Sequence, residues 1–200
     1  ISVDSSATSL TGYSGRFVLN KNRGDFQLNA AFGFTSPSFE INDLGYGSYS
    51  DLMNGHFFAQ YNFTKPTEYY QSTGVGAAIF RSYDFGMNNT SMGYFTNGYW
   101  NTKDLYGADF SFIYSPQTTN ARRTRGGPLT LNPITRSLNL NFYTDNRQWW
   151  VLNAGVSLDR SENLNSSEVF ADIEIKALPT LTVTLGPDYV ADNYNAQWIT

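Results

Sequence analysis

The sequence predicts an all-β protein, an antiparallel up-and-down transmembrane β-barrel of which the chain supplies about ten strands. Three observations lead to this fold class. Apolar and polar residues alternate along most of the chain, short and longer connections follow one another, and most alternating segments exceed an ordinary strand in length. We therefore expect residues 1–200 to form a single segment of a larger barrel domain, as an interior fragment of a longer protein.

The alternation is clearest between residues 135 and 159. Apolar side chains occupy every second position in both halves of this segment, and mainly small or polar residues stand between them. A period of two is that of a β-strand, whose successive side chains point to opposite faces. A polar turn at residues 145–147 divides the segment, which predicts an antiparallel hairpin. The apolar positions of the hairpin are Leu138, Leu140, Phe142, Trp150, Leu152, Ala154, Val156 and Leu158.

Six further strands are predicted before this hairpin and two after it. In the second strand, Phe26 and Leu28 alternate with Gln27 and Asn29. The third strand ends at a turn containing Pro66, because proline fixes φ and lacks the donor that a continuing strand needs. The predicted strands cover residues 10–20, 25–35, 51–63, 70–83, 91–101 and 105–115 before the hairpin, and are centred on residues 169–176 and 181–185 after it.

The connections between these strands run short, long, short, medium, short, long, short, medium and short. A transmembrane barrel has this asymmetry, with short turns at its periplasmic end and longer loops outside, whereas a Greek-key sandwich has no reason to keep it. Most predicted strands are at or above the roughly 9 to 11 residues that cross a bilayer at a tilt. Several also place a Tyr or Trp near one end, where an amphipathic ring favours the membrane interface. These aromatic residues are Tyr61, Tyr83, Trp100, Tyr114, Trp149 and Trp150.

The composition suits a β-sheet that faces lipid on one side and uncharged polar groups on the other. Charged residues make up 15% of the chain, against roughly a quarter in typical soluble domains, while aromatic residues reach 16%. A net charge of -4 offers no basic surface for nucleic acid. The absence of cysteine excludes disulfides and thiolate metal ligands. No apolar run approaches the roughly 20 residues of a transmembrane helix.

The period of two also divides the side chains between lipid and lumen. The residues expected to face lipid are Phe26, Leu28, Phe32, Phe110, Phe112, Leu138, Leu140, Phe142, Leu152, Val156, Ile173 and Val183. Those expected to face the lumen are Gln27, Asn29, Gln60, Asn62, Asp109, Asn139, Asn141, Asn153, Asp172 and Glu174.

The longest connection, residues 116–134, contains the one concentrated charge feature and is the candidate ligand loop. In the first interpretation the loop folds into the lumen, where its guanidinium groups face Asp109, Asp172 or Glu174 and narrow a pore or bind an anionic ligand. In the second it is a solvated extracellular loop that binds lipopolysaccharide phosphates. The candidate residues are Arg122, Arg123, Arg125, Gly126, Gly127 and Pro128.

Catalytic and metal chemistry find little support in the sequence. Glu40 and Asp43 stand in an irregular loop, where turn-forming hydrogen bonds are the expected role of such residues. His56 is the sole histidine and has no evident carboxylate partner. Nucleophile, metalloprotease, phosphate-loop and dinucleotide motifs are absent. We expect no catalytic residues, no metal and no cofactor.

Two stretches carry a family resemblance. SPSFEINDLGYGSYSDLMN at residues 36–54 and TRGGPLTLNP at residues 124–133 resemble recurring segments of a barrel family of Gram-negative bacteria, domain of unknown function 5916. Members resemble an outer-membrane barrel preceded by a module similar to family 9 carbohydrate-binding domains. The resemblance implies that nearly all of this chain is a middle portion of the barrel, and that the sugar-binding module lies outside it.

Together these observations lead us to expect an integral β-barrel of the Gram-negative outer membrane. Its expected role is transport through a pore or that of a surface scaffold, linked to saccharides if a sugar-binding module accompanies it. The expected partners are outer-membrane lipid, and lipopolysaccharide or saccharides, but not nucleic acid. One alternative is a soluble β-rich carbohydrate-binding module, and another is an outer-membrane hydrolase with its nucleophile and base near one rim.

Overall fold

A computed structural model describes residues 9–40, 50–120, 123–124 and 127–195. These residues form β-strands, turns and irregular connections, with no helix among them. The strands are β1 (Ser14–Lys21), β2 (Phe26–Thr35), β3 (Leu52–Phe63), β4 (Ser72–Tyr83), β5 (Asn89–Asn101), β6 (Gly107–Ser115), β7 (Thr118–Asn120), β8 (Thr130–Asn132), β9 (Thr135–Tyr143), β10 (Trp150–Ser161), β11 (Leu164–Leu178), β12 (Leu181–Leu185) and β13 (Asp188–Tyr194).

All strands except β7 and β8 belong to one antiparallel sheet. Its order is β1-β2-β3-β4-β5-β6-β9-β10-β11-β12, and β13 also pairs with β11. From β1 to β12 each strand of the sheet therefore lies beside the sheet strand that precedes it in the chain, with the β7–β8 hairpin inserted between β6 and β9, whereas β13 lies beside β11. This arrangement confirms the prediction of an all-β fold with antiparallel up-and-down strands.

β12 and β13 occupy a single position beside β11. Leu185 is the register partner of Ile173 and Asp188 that of Phe170, so the pairing continues unchanged across residues 186–187. Pro187 has no N–H to donate, but its carbonyl accepts a hydrogen bond of 3.1 Å from the Ala171 N–H. The sheet thus has ten strand positions, in agreement with the number expected from the sequence.

The observed bounds differ from the predicted ones by more than two residues in four places. β11 begins at Leu164, so a two-residue turn replaces the medium connection predicted before the strand centred on residues 169–176, because the polar residues 165–168 pair with β10 without an apolar alternation. β1 begins at Ser14 rather than at residue 10, because residues 9–13 form no ladder. The last strand position extends to Tyr194 instead of ending at Leu185, because Gly186 and Pro187 interrupt the apolar pattern without ending the pairing. The connection at residues 116–134 holds a short hairpin, β7–β8, whose polar segments TTN and TLN lack a recognisable alternation.

The described sheet is a single layer. No strand of the sheet packs across either face of another, and β1 contacts β2 but not β12 or β13, so the described residues form no closed barrel. The accessible surface is 13965 Å², whereas a compact globular protein of 22.4 kDa would expose roughly 9,400 Å². Among the described hydrophobic side chains, Val151 alone is buried. The sheet therefore has no conventional hydrophobic core.

The two longest connections, residues 36–51 and 116–134, lie at one end of the sheet, but those after β4 and β10 at the same end have five and two residues, so the predicted alternation of connection lengths holds only in part. One end carries the turns that follow β1, β3, β5, β9 and β11, and we call it the turn end. The opposite end carries the longer connections after β2 and β6 and those after β4 and β10, and we call it the loop end. Among the described residues there is no helix long and apolar enough to cross a membrane.

Candidate functional site: the two faces of the sheet and their rims

The strand register divides the side chains into two chemically distinct faces. Phe110 is paired with Leu140, Leu140 with Val156, and Val156 with Val169, so these residues share one face. We call it the apolar face. All of the side chains predicted to face lipid lie on it, and many are more than 40% exposed. The sequence thus predicted correctly which residues share a face.

The opposite, polar face contains the residues predicted to face a lumen. Asp109 is paired with Asn141, and Asn153 with Asp172. Asn139 lies two residues from Asn141 on β9 and is paired with Ser111, and Glu174 lies two residues from Asp172 on β11. Their common face is confirmed by the register, and their exposure to a lumen remains a prediction.

Side-chain hydrogen bonds connect neighbouring strands across the polar face. Asn141 Nδ2 donates to Asp109 Oδ1 at 2.9 Å. The Tyr143 hydroxyl donates to Asn101 Oδ1 at 2.7 Å, and Asn101 Nδ2 donates to Ser72 Oγ at 3.2 Å. These bonds satisfy polar side chains within the wall itself, so the polar face is preorganised rather than a loose array of solvated groups.

The same pattern continues towards β2. The Tyr99 hydroxyl donates to Asn62 Oδ1 at 3.0 Å, and Gln60 Nε2 donates to the same oxygen at 2.7 Å. His56 Nε2 is hydrogen-bonded to Asn29 Oδ1. The histidine is thus held by an amide of the neighbouring strand, and no carboxylate partner is described for it that would orient the ring as a general base.

Aromatic rings on the polar face cover glycines of adjacent strands. A Cβ atom placed on Gly93 would lie 2.1 Å from Phe80 Cζ, and one on Gly107 would lie 2.2 Å from Tyr143 Cζ. Two glycines of β4 are covered in the same way. Tyr99 covers Gly74, and Phe58 covers Gly76. The rings fill the gaps that the missing side chains leave in the wall, as aromatic residues do beside glycines in β-sheets.

A cleft of about 650 Å³ opens on the polar face at the turn end. Its lining combines hydroxyl, amide and carboxylate groups with two aliphatic side chains. Such a mixture suits a neutral polar solute, for example one bearing hydroxyl groups, but the cleft contains no nucleophile paired with a base. The lining residues are Gln71, Ser72, Asn101, Leu105, Tyr143, Thr144, Asn146, Val151, Asn153 and Glu174.

The turn between β9 and β10 borders this cleft and is fastened by one ion pair. Arg147 Nε and Nη2 donate to the two oxygens of the Asp145 carboxylate, each at 3.0 Å, and the Arg147 backbone N–H donates to Oδ1 at 2.9 Å. The hydrogen bonds from the Arg147 side chain, with that from its backbone, lower the pKa of Asp145 to about 2. The Asp145 side chain is 3% exposed, whereas that of Arg147 is 70% exposed.

The candidate ligand loop lies at the loop end. Arg123 is exposed and donates to Leu131 O at 3.4 Å and to Asn132 Oδ1 at 3.2 Å, both within its own β7–β8 hairpin. Thr124 Oγ1 donates to Pro128 O at 2.9 Å, and the Gly127 N–H donates to Thr124 O at 3.1 Å. Arg122, Arg125 and Gly126 lie outside the described residues.

The acids proposed to face this loop lie towards the opposite end. Asp109 is six residues from the loop end of β6 (109 to 115), which is about 20 Å along a strand. Asp172 lies in the middle of β11, and Glu174 lies nearer its turn end. An inward-folded loop would have to extend well along the polar face to meet them, and the described contacts of Arg123 stay within its hairpin. The inward orientation remains a prediction.

Charges are segregated between the two faces. At the paired positions of the polar face, acids outnumber the two cations, Arg16 and Lys176. At the paired positions of the apolar face the charged residues are all basic. No group of three or more potential metal ligands occurs among the described residues. The acids of the polar face are Asp109, Asp159, Glu168, Asp172, Glu174, Asp188 and Asp192.

Comparison with protein families supplies the remaining finding. A family model described as Domain of unknown function (DUF5916) matches residues 1–199. The chain belongs to this family. Its match to the DUF5916 family confirms the resemblance seen in residues 36–54 and 124–133. No curated protein matches this DUF5916 chain, and no solved structure matches it.

Proposed function

We propose that this DUF5916 chain forms part of the wall of an integral β-barrel in the outer membrane of a Gram-negative bacterium, and that the barrel serves transport as a pore. The observation that carries the proposal is the single-layered sheet, with large apolar side chains exposed on one face and a hydrogen-bonded polar face opposite. Lipid would cover the first face, and a water-filled lumen would meet the second.

The exposed apolar surface needs a partner of low polarity. Phe57 is 48% exposed, Val75 51%, Leu140 44% and Phe142 43%, although each lies within a strand that is paired on both sides. Burying such side chains stabilises a protein by about 25 cal/mol per Å² of apolar surface. Contact with lipid tails would provide this stabilisation over the whole face.

The distribution of aromatic residues along the apolar face supports the same orientation. Trp100 and Trp150 stand at the turn end of their strands, and Tyr83 and Tyr114 at the loop end. Trp and Tyr rings favour the two membrane interfaces, where part of the ring meets lipid and the polar atom meets water. The described sheet has two unpaired edges, so this proposal requires additional strands to close the wall.

The alternatives have weaker structural support. A soluble carbohydrate-binding module built as a sandwich would pack two sheets face to face, and the described strands form one layer. A hydrolase would need a base near its nucleophile, and His56 is hydrogen-bonded to Asn29. A surface scaffold fits the same wall as a pore does, because the two differ only in whether the lumen is open. Saccharides are a reasonable cargo, since the cleft offers amide and hydroxyl groups.

Cysteine labelling tests the orientation, and the absence of cysteine from this chain provides a clean background. Asn139→Cys and Leu140→Cys alter adjacent residues on opposite faces of β9. In outer membranes, a charged maleimide should label Cys at position 139 through water and leave position 140 unmodified. Equal labelling of both positions, or release of the protein by carbonate washing, would reject the membrane wall and favour the soluble module.

Conductance then distinguishes a pore from a scaffold. The purified protein, inserted into planar lipid bilayers, should produce discrete conductance steps if the lumen is open. An inserted protein with the expected labelling pattern but without conductance would reject the pore and leave the scaffold as the function.

A further inference from the structure

The apolar face contains charges, and all of them are basic. Its charged residues at paired positions are Lys21 at the turn end, and Arg81, Arg136 and Arg160 at the loop end. No acid occupies a paired position of this face in the described sheet. A face proposed to contact lipid therefore ends, on the side of the longer connections, in a band of arginines without counterions.

Arg136 and Arg160 oppose each other directly. They are register partners on β9 and β10, but their guanidinium groups lean to opposite sides, that of Arg160 towards β11 and that of Arg136 towards Tyr114 on β6. Arg160 donates to Ser167 Oγ at 2.9 Å and to Asp159 O at 2.9 Å, which are neutral acceptors. Arg136 has its guanidinium carbon 5.9 Å from the centre of the Tyr114 ring and no hydrogen-bond acceptor among the described residues. Neither guanidinium group has an anionic partner among the described residues, so each can bind an anion from outside the sheet.

The surroundings of these arginines match the boundary of a membrane. Tyr114 stacks on Tyr94 with ring centres 6.2 Å apart, so the Arg136 side chain lies beside a pair of interfacial aromatic rings. Arg81 repeats the arrangement on β4, with its guanidinium carbon 4.9 Å from the centre of the Tyr83 ring. Two separate arginine–tyrosine pairs, one within β4 and one between β9 and β6, thus lie at the same end of the apolar face.

A groove on the apolar face lies next to Arg81. It has a volume of about 420 Å³, and its walls include Phe32, Phe57, Ile79 and Met87. Gly55 lies on the apolar face between Phe32 and Arg81 in the register, so no side chain fills the space between these neighbours. An apolar groove with a guanidinium group in its lining suits an acyl chain attached to an anionic headgroup.

We propose that Arg81, Arg136 and Arg160 bind the phosphate groups of a phosphorylated glycolipid of the outer leaflet, the lipid A portion of lipopolysaccharide. Arg136 and Arg160 each donate charge-assisted hydrogen bonds to phosphate oxygens, and Arg81 meets an anionic group at the head of an acyl chain in the groove. The site rests on the proposed membrane orientation, because only that orientation brings the arginines to the outer leaflet. It is separate from the arginine-containing loop at residues 122–125.

The test compares two double variants of the purified protein that remove the same charge. Arg136→Gln with Arg160→Gln removes the proposed phosphate ligands, and Lys65→Gln with Lys103→Gln removes two cations from turn-end connections. The probe is bisphosphorylated lipid A, and dephosphorylated lipid A serves as the matched ligand. Binding is measured by native mass spectrometry and by the increase in melting temperature on addition of lipid.

We expect the affinity of the arginine variant for bisphosphorylated lipid A to be at least about tenfold lower than that of the unaltered protein, because charge-assisted hydrogen bonds are lost. The affinity of the lysine variant should be unchanged. Dephosphorylated lipid A should bind the unaltered protein at least as weakly as the arginine variant binds the phosphorylated form, because the variant retains Arg81. Equal binding by both double variants, or indifference to the phosphates, would overturn the proposal. If the glutamine substitutions prevent folding, Arg136→Lys with Arg160→Lys retains the charge and should weaken binding less than tenfold.

Failure of this site can be distinguished from failure of the membrane orientation. A protein with labelling at position 139 but not at 140, and with unchanged lipid A binding in the arginine variant, would reject this site alone. A protein with equal labelling at both positions would reject the membrane wall itself.

Discussion

The ring of Phe80 covers Gly93 on the neighbouring strand so closely that a Cβ atom at residue 93 would lie 2.1 Å from Cζ. The two residues are register partners on β4 and β5. Four further glycines on the polar face are covered in the same way, by Phe58, Tyr99, Tyr143 and Phe170. The wall therefore obtains much of its side-chain packing from single rings placed across strands, because it has no second layer to pack against.

The pairing of Phe80 with Gly93 can be tested by a double-mutant cycle. Gly93→Ala should lower the free energy of unfolding by about 1–3 kcal/mol, because the methyl group forces the ring from its position. The same substitution in a Phe80→Ala background should cost much less, since the ring is gone. Unfolding in detergent, followed by tryptophan fluorescence, provides the measurement. Equal costs in the two backgrounds would show that the ring does not limit the space at Gly93.

The two faces should respond differently to a new charge. Leu140→Arg places a guanidinium on the apolar face and should cost roughly 2–4 kcal/mol if this position lies near the middle of the bilayer. Asn139→Arg places the same group on the polar face, where water would solvate it, and should cost much less. The free energy of folding into lipid vesicles distinguishes them. The proposed orientation fails if both variants are destabilised to the same extent.

The ion pair in the turn between β9 and β10 should make the stability of the protein depend on pH in the acidic range. The pKa of Asp145 in the folded protein is about 2, below the roughly 3.9 of an unfolded aspartate. A lowered pKa of this kind stabilises the fold above pH 4, and the stabilisation is lost as the pH falls towards 2. The melting temperature of the unaltered protein should therefore decrease between pH 5 and pH 2.5.

Arg147→Gln removes the ion pair with Asp145 and should reduce that decrease, since the carboxylate then keeps a pKa nearer its ordinary value. Asp145→Asn should abolish the part of the decrease in melting temperature that the Asp145 carboxylate causes. Lys65→Gln, at another turn-end connection, serves as the control for loss of a positive charge. An identical pH profile in Arg147→Gln and the unaltered protein would contradict the assignment.

Met87 occupies a left-handed backbone conformation, with φ of 62°. A side chain there strains the backbone, and glycine avoids most of this strain. Met87→Gly should therefore raise the free energy of unfolding by up to about 1 kcal/mol. This is the net gain, because relief of the strain is partly offset by the greater conformational entropy that glycine loses on folding. Met87→Ala keeps a Cβ atom and should show no such gain. Equal effects of the two substitutions would exclude backbone strain as the cause.

The alternation of side chains predicted the sheet with little help from other features. Leu138, Leu140 and Phe142 define an apolar face because a strand directs every second side chain to the same side. The turns at residues 145–147 and around Pro66 could be placed because polar residues and proline interrupt that alternation. The short β7–β8 hairpin could not be foreseen, because three-residue strands are too short to show a period.

The sequence by itself determined which residues share a face of the sheet and the order in which the strands follow one another. Both properties are local, since a strand's period and the length of its turn are set by a few consecutive residues. The tertiary structure determined which residues are paired across strands, such as Phe80 with Gly93 and Arg136 with Arg160. These pairings depend on the register between distant segments, and a shift of one residue would replace each partner by one from the opposite face.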